Sequence, residues 1–329
     1  MKLQEAGYTV GYFKPFGRRK GKANVDPEVD VVAKTFDMTE VEACPCFLDN
    51  VHFESFRHQG MEETSKRIIE SYRAIRDRVD IVLIEGLKKA STLMSFDLDD
   101  AKIASMLEVP VLSINEIETD QDIDDLIMQR QVIQARGARY LGCVFNKVSK
   151  FMTARATEEY LPFLGELNIK TFGVVERDDR LTAPTVGEIL QNLSGKLLDE
   201  DVESYDMNAL VQNVLVGAMS AHSALSYFRN AGKDSVVITG GDRADIVLTA
   251  LESASIVAII LTGGLYPDMH VISAAKEKGV PIILVHYDTF TAANKVEETS
   301  AELQLHERHL CKEIVEKHVD IDALVSALK

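Results

Sequence analysis

The 329-residue sequence has no tryptophan, four cysteines and eight prolines. It also lacks an apolar run of the roughly 18 to 20 residues needed to span a bilayer. Cys44, Cys46, Cys143 and Cys311 are too few and too irregularly placed for a disulfide framework, so a reducing compartment is expected. The first residues lack the apolar stretch of a signal peptide, and the expected location is the cytoplasm. Basic residues are in deficit as well, with 36 Lys and Arg against 52 Asp and Glu and a formal net charge of -16. This balance argues against nucleic acid or an anionic membrane as a partner, because either needs a positive surface. Cys44 and Cys46 precede His52 and His58, but a C-x-C followed by loosely spaced histidines does not match a zinc-ligand spacing. No metal is expected there.

What is present is apolar content of 46%, enough to bury a core in each of two domains. KLQEAG at the start reads as the end of a helix closed by glycine, and YTVGYFKP as a strand. A chain that begins inside a helix's last turns is expected to have lost something upstream. From there to about residue 195, apolar strands such as VDIVLIEG, VPVLSIN, YLGCVFNKV and KTFGVVE alternate with amphipathic helices. Strands that are apolar throughout and separated by helices predict a doubly wound parallel sheet covered on both faces, an α/β domain over residues 1–195. The acidic stretch NEIETDQDIDD (115–125) reads as a helix start, with Thr119 or Asp120 as cap and carboxylates complementing the positive end of the helix dipole.

SGKLLDEDVESYDMN (194–208) is polar and without periodicity, and marks the expected domain boundary. A second, smaller α/β domain is expected over 206–329, beginning with a helix through NALVQNVLVGAMSAHSALSYF. It carries an internal echo: Thr239-Gly240-Gly241 is followed by Asp245, and Thr262-Gly263-Gly264 by Asp268. Gly-Gly allows a sharp turn at a strand's carboxyl end, and the following Asp can cap the next helix. Such turns can also leave backbone N–H groups free where anions bind in open α/β sheets. Equally, both can be plain strand-to-helix turns.

Three stretches of the first domain bear on nucleotide chemistry. GRRKGKA (Gly17 to Ala23) imitates a phosphate loop, but only three residues separate its glycines and Ala23 stands where a hydroxyl is required, so it reads as a solvated basic loop. VDIVLIEG delivers Glu85 to a strand's carboxyl end, where an acid can sit beside a metal. GCVFNKV places Asn146 and Lys147 after a buried strand; the Asn146 amide can read a purine edge or cap a loop.

Taken in order, AGYTVGYFKP, VDIVLIEG, SFDLDDAKIASMLEVPVL, QARGARYLGCVFNKV and LGELNIKTFGVVERDDRLTAPTVGEI resemble a dethiobiotin-synthetase-like (BioD-like) ATPase fold. The closer resemblance is to the N-terminal region of long bacterial phosphate acetyltransferases and to archaeal stand-alone relatives. The second domain resembles the DRTGG module of those proteins. Asp242 and Arg243 in TGGDRADI, with Thr262, Gly263 and Gly264 in IILTGG, match its naming residues, and a helix with LVGAMS (215–220) fits the same module.

The resemblance implies a P-loop-type fold in which Lys14 lies near phosphates or substrate, Glu85 near magnesium and Asn146 near a base. In the second domain it implies a ligand site at Gly240, Gly241, Asp242, Arg243, Thr262, Gly263 and Gly264. The family's opening strand and P-loop, and the acetyl-transfer domain after the DRTGG module, are not in this sequence. The expectation is therefore a regulatory protein that senses a nucleotide or anionic metabolite, is homo-oligomeric, pairs with a metabolic enzyme and does not transfer acetyl groups. The other reading is an enzyme of the dethiobiotin or cobyrinate synthetase group, an ATP- and Mg-dependent ligase or amidotransferase truncated at its N-terminus. After Glu85-Gly86 the sequence continues LKKAST, without the glycine-rich stretch of dethiobiotin synthetases, which argues against that substrate.

Overall fold

The computed structural model describes residues 1–18, 26–36, 38–48, 61–199, 204–299, 301 and 307–328. Most of the GRRKGKA loop, His52 and His58 fall outside the described residues. The chain divides into two compact units, Met1–Arg177 together with 303–329, and Asp178–Glu302. This division falls earlier than the polar stretch 194–208, and it returns the C-terminal helices to the first unit.

The first unit opens with a short helix, Lys2–Glu5, that ends at Gly7 with φ 92°, in agreement with the reading of KLQEAG. Its strands are β1 (Val10–Phe13), β2 (Phe16–Arg18), β3 (Cys46–Leu48), β4 (Ile81–Ile84), β5 (Val111–Asn115), β6 (Tyr140–Val148) and β7 (Thr171–Glu176). All pair in parallel, in three pieces: β1 with β4, β2 with β3, and β5 with β6 and β7. The sequence pattern did not indicate β2 and β3, which are too short to show a period.

Helix Met61–Arg76 lays Ile68, Tyr72 and Ile75 against Phe13 and Phe16, forming one apolar core. Around β6, Phe145 and Val148 pack with Leu126 and Leu164 from helices on one face. On the other face, Val144, Phe172 and Val175 receive Ile314, Ala323 and Leu324 of the C-terminal helices Arg308–His318 and Ile321–Leu328, and Val319 between them. The sheet is thus covered on both sides, which is why these strands are apolar throughout. Among the described residues, β4 and β5 each pair along one edge, and Leu83 and Ile114 on them are 43% and 65% exposed.

The second unit is a single five-stranded sheet built from β8 (Lys196–Leu197), β9 (Asn213–Val216), β10 (Ser235–Gly240), β11 (Ile256–Thr262) and β12 (Ile282–Leu284). Its order is β8-β12-β11-β10-β9, parallel apart from β8, which lies antiparallel on β12. Alternate residues of β10 serve opposite cores. Val237 packs with Phe228, Ile246 and Val271, while Val236 and Ile238 pack with Val186, Ile189, Ala292 and Val296. Helix Val186–Asn192 supplies Val186 and Ile189 to that second core and so belongs to this unit.

Two expectations need correction here. The single helix through 208–228 is a strand followed by a helix: NVLV extends the sheet as β9, and Ser220 caps helix Ala221–Asn230 by accepting from the Ser223 amide. LVGAMS is therefore strand end and turn, because the β-branched and apolar residues 214–216 gain ladder bonds to β10 that a helix would forgo. Within 194–208, Lys196 and Leu197 form an edge strand and Tyr205 is buried, so these described residues are part of the second unit's structure. At 115–125, Asp120 occupies the cap position without capping the helix amides, its carboxylate accepting from the Tyr160 hydroxyl and pairing with Arg155. Asp122 instead accepts from the Glu118 and Thr119 amides, and the first turn is acidic as expected.

The C-terminal segment is fastened to β7 by a bridge between Gly173 and Val319 and by the Asp320 amide donating to Phe172 O. A Cβ on Gly173 would lie 2.2 Å from His318 O, a backbone atom that cannot swing away. We expect Gly173→Ala to lower stability by roughly 1–3 kcal/mol in urea unfolding and to speed proteolysis of the C-terminal helices. Unchanged stability and proteolysis would show that this clasp is dispensable.

Candidate functional site

Lys14 follows β1 and is anchored by its backbone amide donating to Ala43 O. Its side chain is only 6% exposed, and its ammonium nitrogen lies 2.6 Å from Glu28 Oε2, 2.8 Å from Glu85 Oε1 and 3.2 Å from Asp26 Oδ2. Glu85 stands just beyond the carboxyl end of β4, its amide donating to Phe13 O, and the Tyr12 hydroxyl donates to Glu85 Oε2 at 2.5 Å. Asp26 caps helix Pro27–Thr35: Oδ1 accepts from the Glu28 and Val29 amides, and Oδ2 from the Arg18 amide. The structure thus joins two residues that sequence reading singled out, Lys14 and Glu85, to three that it missed. Asp26 in the pattern D-P-E before an apolar-periodic stretch was a readable helix cap, but nothing local linked it to Lys14.

Burial works against the charge on Lys14, but the charge of Glu85 and the bonds to Glu28 and Glu85 outweigh it and hold the ammonium above its usual range. Burial, reinforced by the neighbouring Glu85 charge, also raises Tyr12 and keeps it a phenol that donates. Asp26, Glu28 and Glu85 are hard oxygen donors of the type that magnesium takes. Their oxygens nevertheless close on a lysine nitrogen, and the described residues contain no group of three or more such side chains arranged to hold a metal. With Lys14 in place the cluster does not fit the magnesium that the resemblance implied for Glu85. Cys44 and Cys46 are both buried, which pushes their thiols up to about 12 and about 11 and leaves them protonated.

Asn146 lies within β6 rather than beyond it, and no hydrogen bond or ion pair among the described residues links it to the Lys14 cluster. Lys147 beside it has φ 55° and pairs with Glu116 at 2.8 Å. Nearby, at the ends of β5 and β6, Asn115 Oδ1 and Ser149 Oγ are buried without a hydrogen-bond partner.

In the second unit the two Thr-Gly-Gly turns lie at adjacent strand ends and knit them together. The Thr239 hydroxyl donates to Gly217 O at 3.2 Å and the Thr262 hydroxyl to Thr239 O at 3.3 Å, while the hydroxyls of Thr262 and Thr289 meet at 3.0 Å. Gly263 and Gly264 have φ of 80° and 66°, and their amides donate to Tyr287 O and Val285 O. The Gly241 amide donates to Thr262 O, and a Cβ at Gly241 would lie 1.9 Å from Leu265 O. These glycine amides are therefore engaged, contrary to the expectation that such turns leave them free, because each loop folds onto its neighbour's strand end.

The Arg243 guanidinium makes two 2.9 Å bonds to the Asp245 carboxylate and donates to Met219 O at 2.8 Å. Asp245 is thus an ion-pair partner in the first helical turn, and Asp268 sits at a cap position without a side-chain bond. Asp242 stands exposed at the same turn. The strand-end loops also expose Leu265, Tyr266, Met269 and Phe290, which sequence reading passed over.

A family profile described as AAA domain matches residues 1–185, more than half of the sequence. The chain belongs to this AAA domain family. A second profile, the DRTGG domain, matches residues 188–299. Phosphate acetyltransferase of Pseudomonas putida is 25% identical over 340 residues, covering 97% of this chain and 47% of the relative. That of Synechocystis sp. is 22% identical over 337 residues, with 97% and 47% covered. ATP-dependent dethiobiotin synthetase BioD of Ralstonia nicotianae is 27% identical over 158 residues, covering 46% of this chain and 68% of the relative. The chain spans about half the length of the phosphate acetyltransferases it matches. Among solved structures, the CBS and DRTGG domains of the regulatory region of Clostridium perfringens pyrophosphatase, complexed with the activator diadenosine tetraphosphate, share 21% identity at a TM-score of 0.32. That match covers 44% of this chain and 70% of the other.

One further carboxyl group of this AAA domain chain lies against Gly86 and Leu87, just after Glu85 in sequence. Asp100 accepts from the Leu87 amide at 3.0 and 3.1 Å, beside Asp99, which is fully buried and paired with Arg136 at 2.9 Å. Burial, outweighing the Leu87 hydrogen bond and helped by the Asp99 charge, pushes the Asp100 carboxyl up to about 7. An unfolded Asp titrates near 3.9, so the stability that Asp100 contributes is fully present below about pH 4 and lost as pH rises through about 7. We expect Asp100→Asn to raise the melting temperature by a few degrees at pH 8 and to leave it nearly unchanged at pH 4. A melting temperature lowered equally at both values would contradict this.

Proposed function

We propose that the chain is a regulatory protein whose DRTGG unit senses a nucleotide or small anionic metabolite at the carboxyl ends of β9 to β12. The observation that carries this reading is Arg243, held at that end by Asp245 and Met219 O, within the region matched by the DRTGG profile. In open parallel sheets ligands bind beyond the carboxyl ends of the strands, and an anion can exchange with Asp245 for the guanidinium. Exposed Leu265, Tyr266, Met269 and Phe290 at the same end support self-association into a homo-oligomer. The similarity to phosphate acetyltransferases supports a metabolic enzyme as partner, and neither unit is assigned acetyl transfer. No helix among the described residues is long and apolar enough to cross a membrane; the four free cysteines support the cytoplasm as the compartment.

A second reading, an ATP- and Mg-dependent ligase or amidotransferase-like enzyme, is favoured by one observation, the 27% identity over 158 residues to an ATP-dependent dethiobiotin synthetase. Mg-ATP turnover that disappears in Glu85→Gln would favour it over the regulatory reading.

Titration calorimetry of the full chain with ATP, ADP and AMP tests the sensing role. Saturable binding is expected for at least one of them, weakened about tenfold or more by Arg243→Ala through loss of charge-assisted hydrogen bonds. Binding that Arg243→Ala leaves unchanged would argue against this site.

A further inference from the structure

We infer that the ammonium of Lys14 is the resident cation of the Asp26, Glu28 and Glu85 cluster, and that a divalent metal enters only where this ammonium has been withdrawn. The inference does not depend on what the second unit binds.

Three features of the geometry support it. An ammonium has three hydrogens, and Lys14 faces three carboxylate oxygens at 2.6, 2.8 and 3.2 Å, two of them from Asp26 and Glu28 at the start of one helix and the third from Glu85 beyond β4. Its donors are matched one to one. Two of those carboxylates are also held from behind: Asp26 by the Arg18, Glu28 and Val29 amides, and Glu85 by the Tyr12 hydroxyl. The oxygens are therefore aimed at a fixed point, and that point is occupied by nitrogen. Magnesium would need the same oxygens at about 2.0–2.1 Å from its own centre, so ammonium and metal are mutually exclusive.

Burial and charge indicate the direction of exchange. Lys14 and Asp26 side chains are 6% and 4% exposed, whereas those of Glu28 and Glu85 are 59% and 38% exposed. The cluster is closed at its base and open at its mouth. Three carboxylates around one ammonium leave negative charge in excess, which a divalent ion would neutralise better than the lysine does. The lysine's advantage is that it is tethered in place and pays no cost of capture from solution. Removing the ammonium while keeping the apolar stem should convert an internal ion cluster into an oxygen-lined divalent site.

The test uses Mn²⁺ as probe on the full chain, followed by calorimetry and by loss of the free-ion paramagnetic resonance signal. Wild type is expected to show no saturable Mn²⁺ binding at this cluster, and Lys14→Met to bind one ion at least about tenfold more tightly than any wild-type site. Adding Glu85→Gln to Lys14→Met should abolish the gain, and Mn²⁺ should raise the melting temperature of Lys14→Met more than that of the double variant. Wild-type Mn²⁺ binding that Glu85→Gln weakens would overturn the inference, as would a Lys14→Met protein that folds and binds no better than wild type. If Lys14→Met fails to fold without metal because the acids are left unpaired, the wild-type and Glu85→Gln titrations decide alone: a saturable signal lost with Glu85 refutes the resident-cation role, and no such signal supports it.

Discussion

A parallel strand buried on both faces has to satisfy its backbone within the sheet, so polar side chains collect where the strands end. That constraint shapes both units. Apolar cores occupy the faces of β1, β4, β6, β10 and β11, while Lys14, Glu85, Thr239, Arg243 and Thr262 lie at or just beyond the carboxyl ends of strands. The two units then use those ends differently. In the first, three acids from a helix start and a strand end converge on one buried lysine. In the second, threonine hydroxyls bond from one strand end to the next and hold the end of the sheet together.

The difference bears on function. A threonine hydroxyl that already donates to a neighbouring carbonyl serves the backbone first, so the chemistry available to a ligand in the DRTGG unit narrows to Arg243, Asp242 and the exposed side chains of the loops. The ion pair of Arg243 with Asp245 keeps the guanidinium oriented while leaving it exchangeable, since both groups are partly open to solvent. In the first unit the lysine and Asp26 are more enclosed, and exchange there is governed by whether a tethered ammonium leaves its acceptors.

Much of this was legible in the sequence. The apolar runs VDIVLIEG, SVVITGG and IVAIILTGG became β4, β10 and β11, and the alternation with helices announced parallel sheets covered on both faces. The strand-end positions of Glu85, Arg243 and Thr262 could also be read, because a continuous apolar run followed by a helical period locates the turn. What was not legible depended on contacts between residues distant in sequence. NVLV looked helical beside SAHSALSYF until β10 offered it a ladder. KL at 196–197 is too short to show a period and is a strand only because β12 lies alongside. Asp26 reads locally as a helix cap, and its approach to Lys14 depends on how β2 and the following helix fold back.

The path of the chain between β7 and its C-terminal clasp has a further consequence. The first unit is interrupted after Arg177, and its last helices return to β7 only after the whole second unit has been traversed. Docking of the C-terminal helices on β7 therefore closes a loop as long as the whole second unit, and because closure entropy grows only slowly with loop length, a contact as small as the Gly173–Val319 clasp can still draw on the apolar face of β7 behind it.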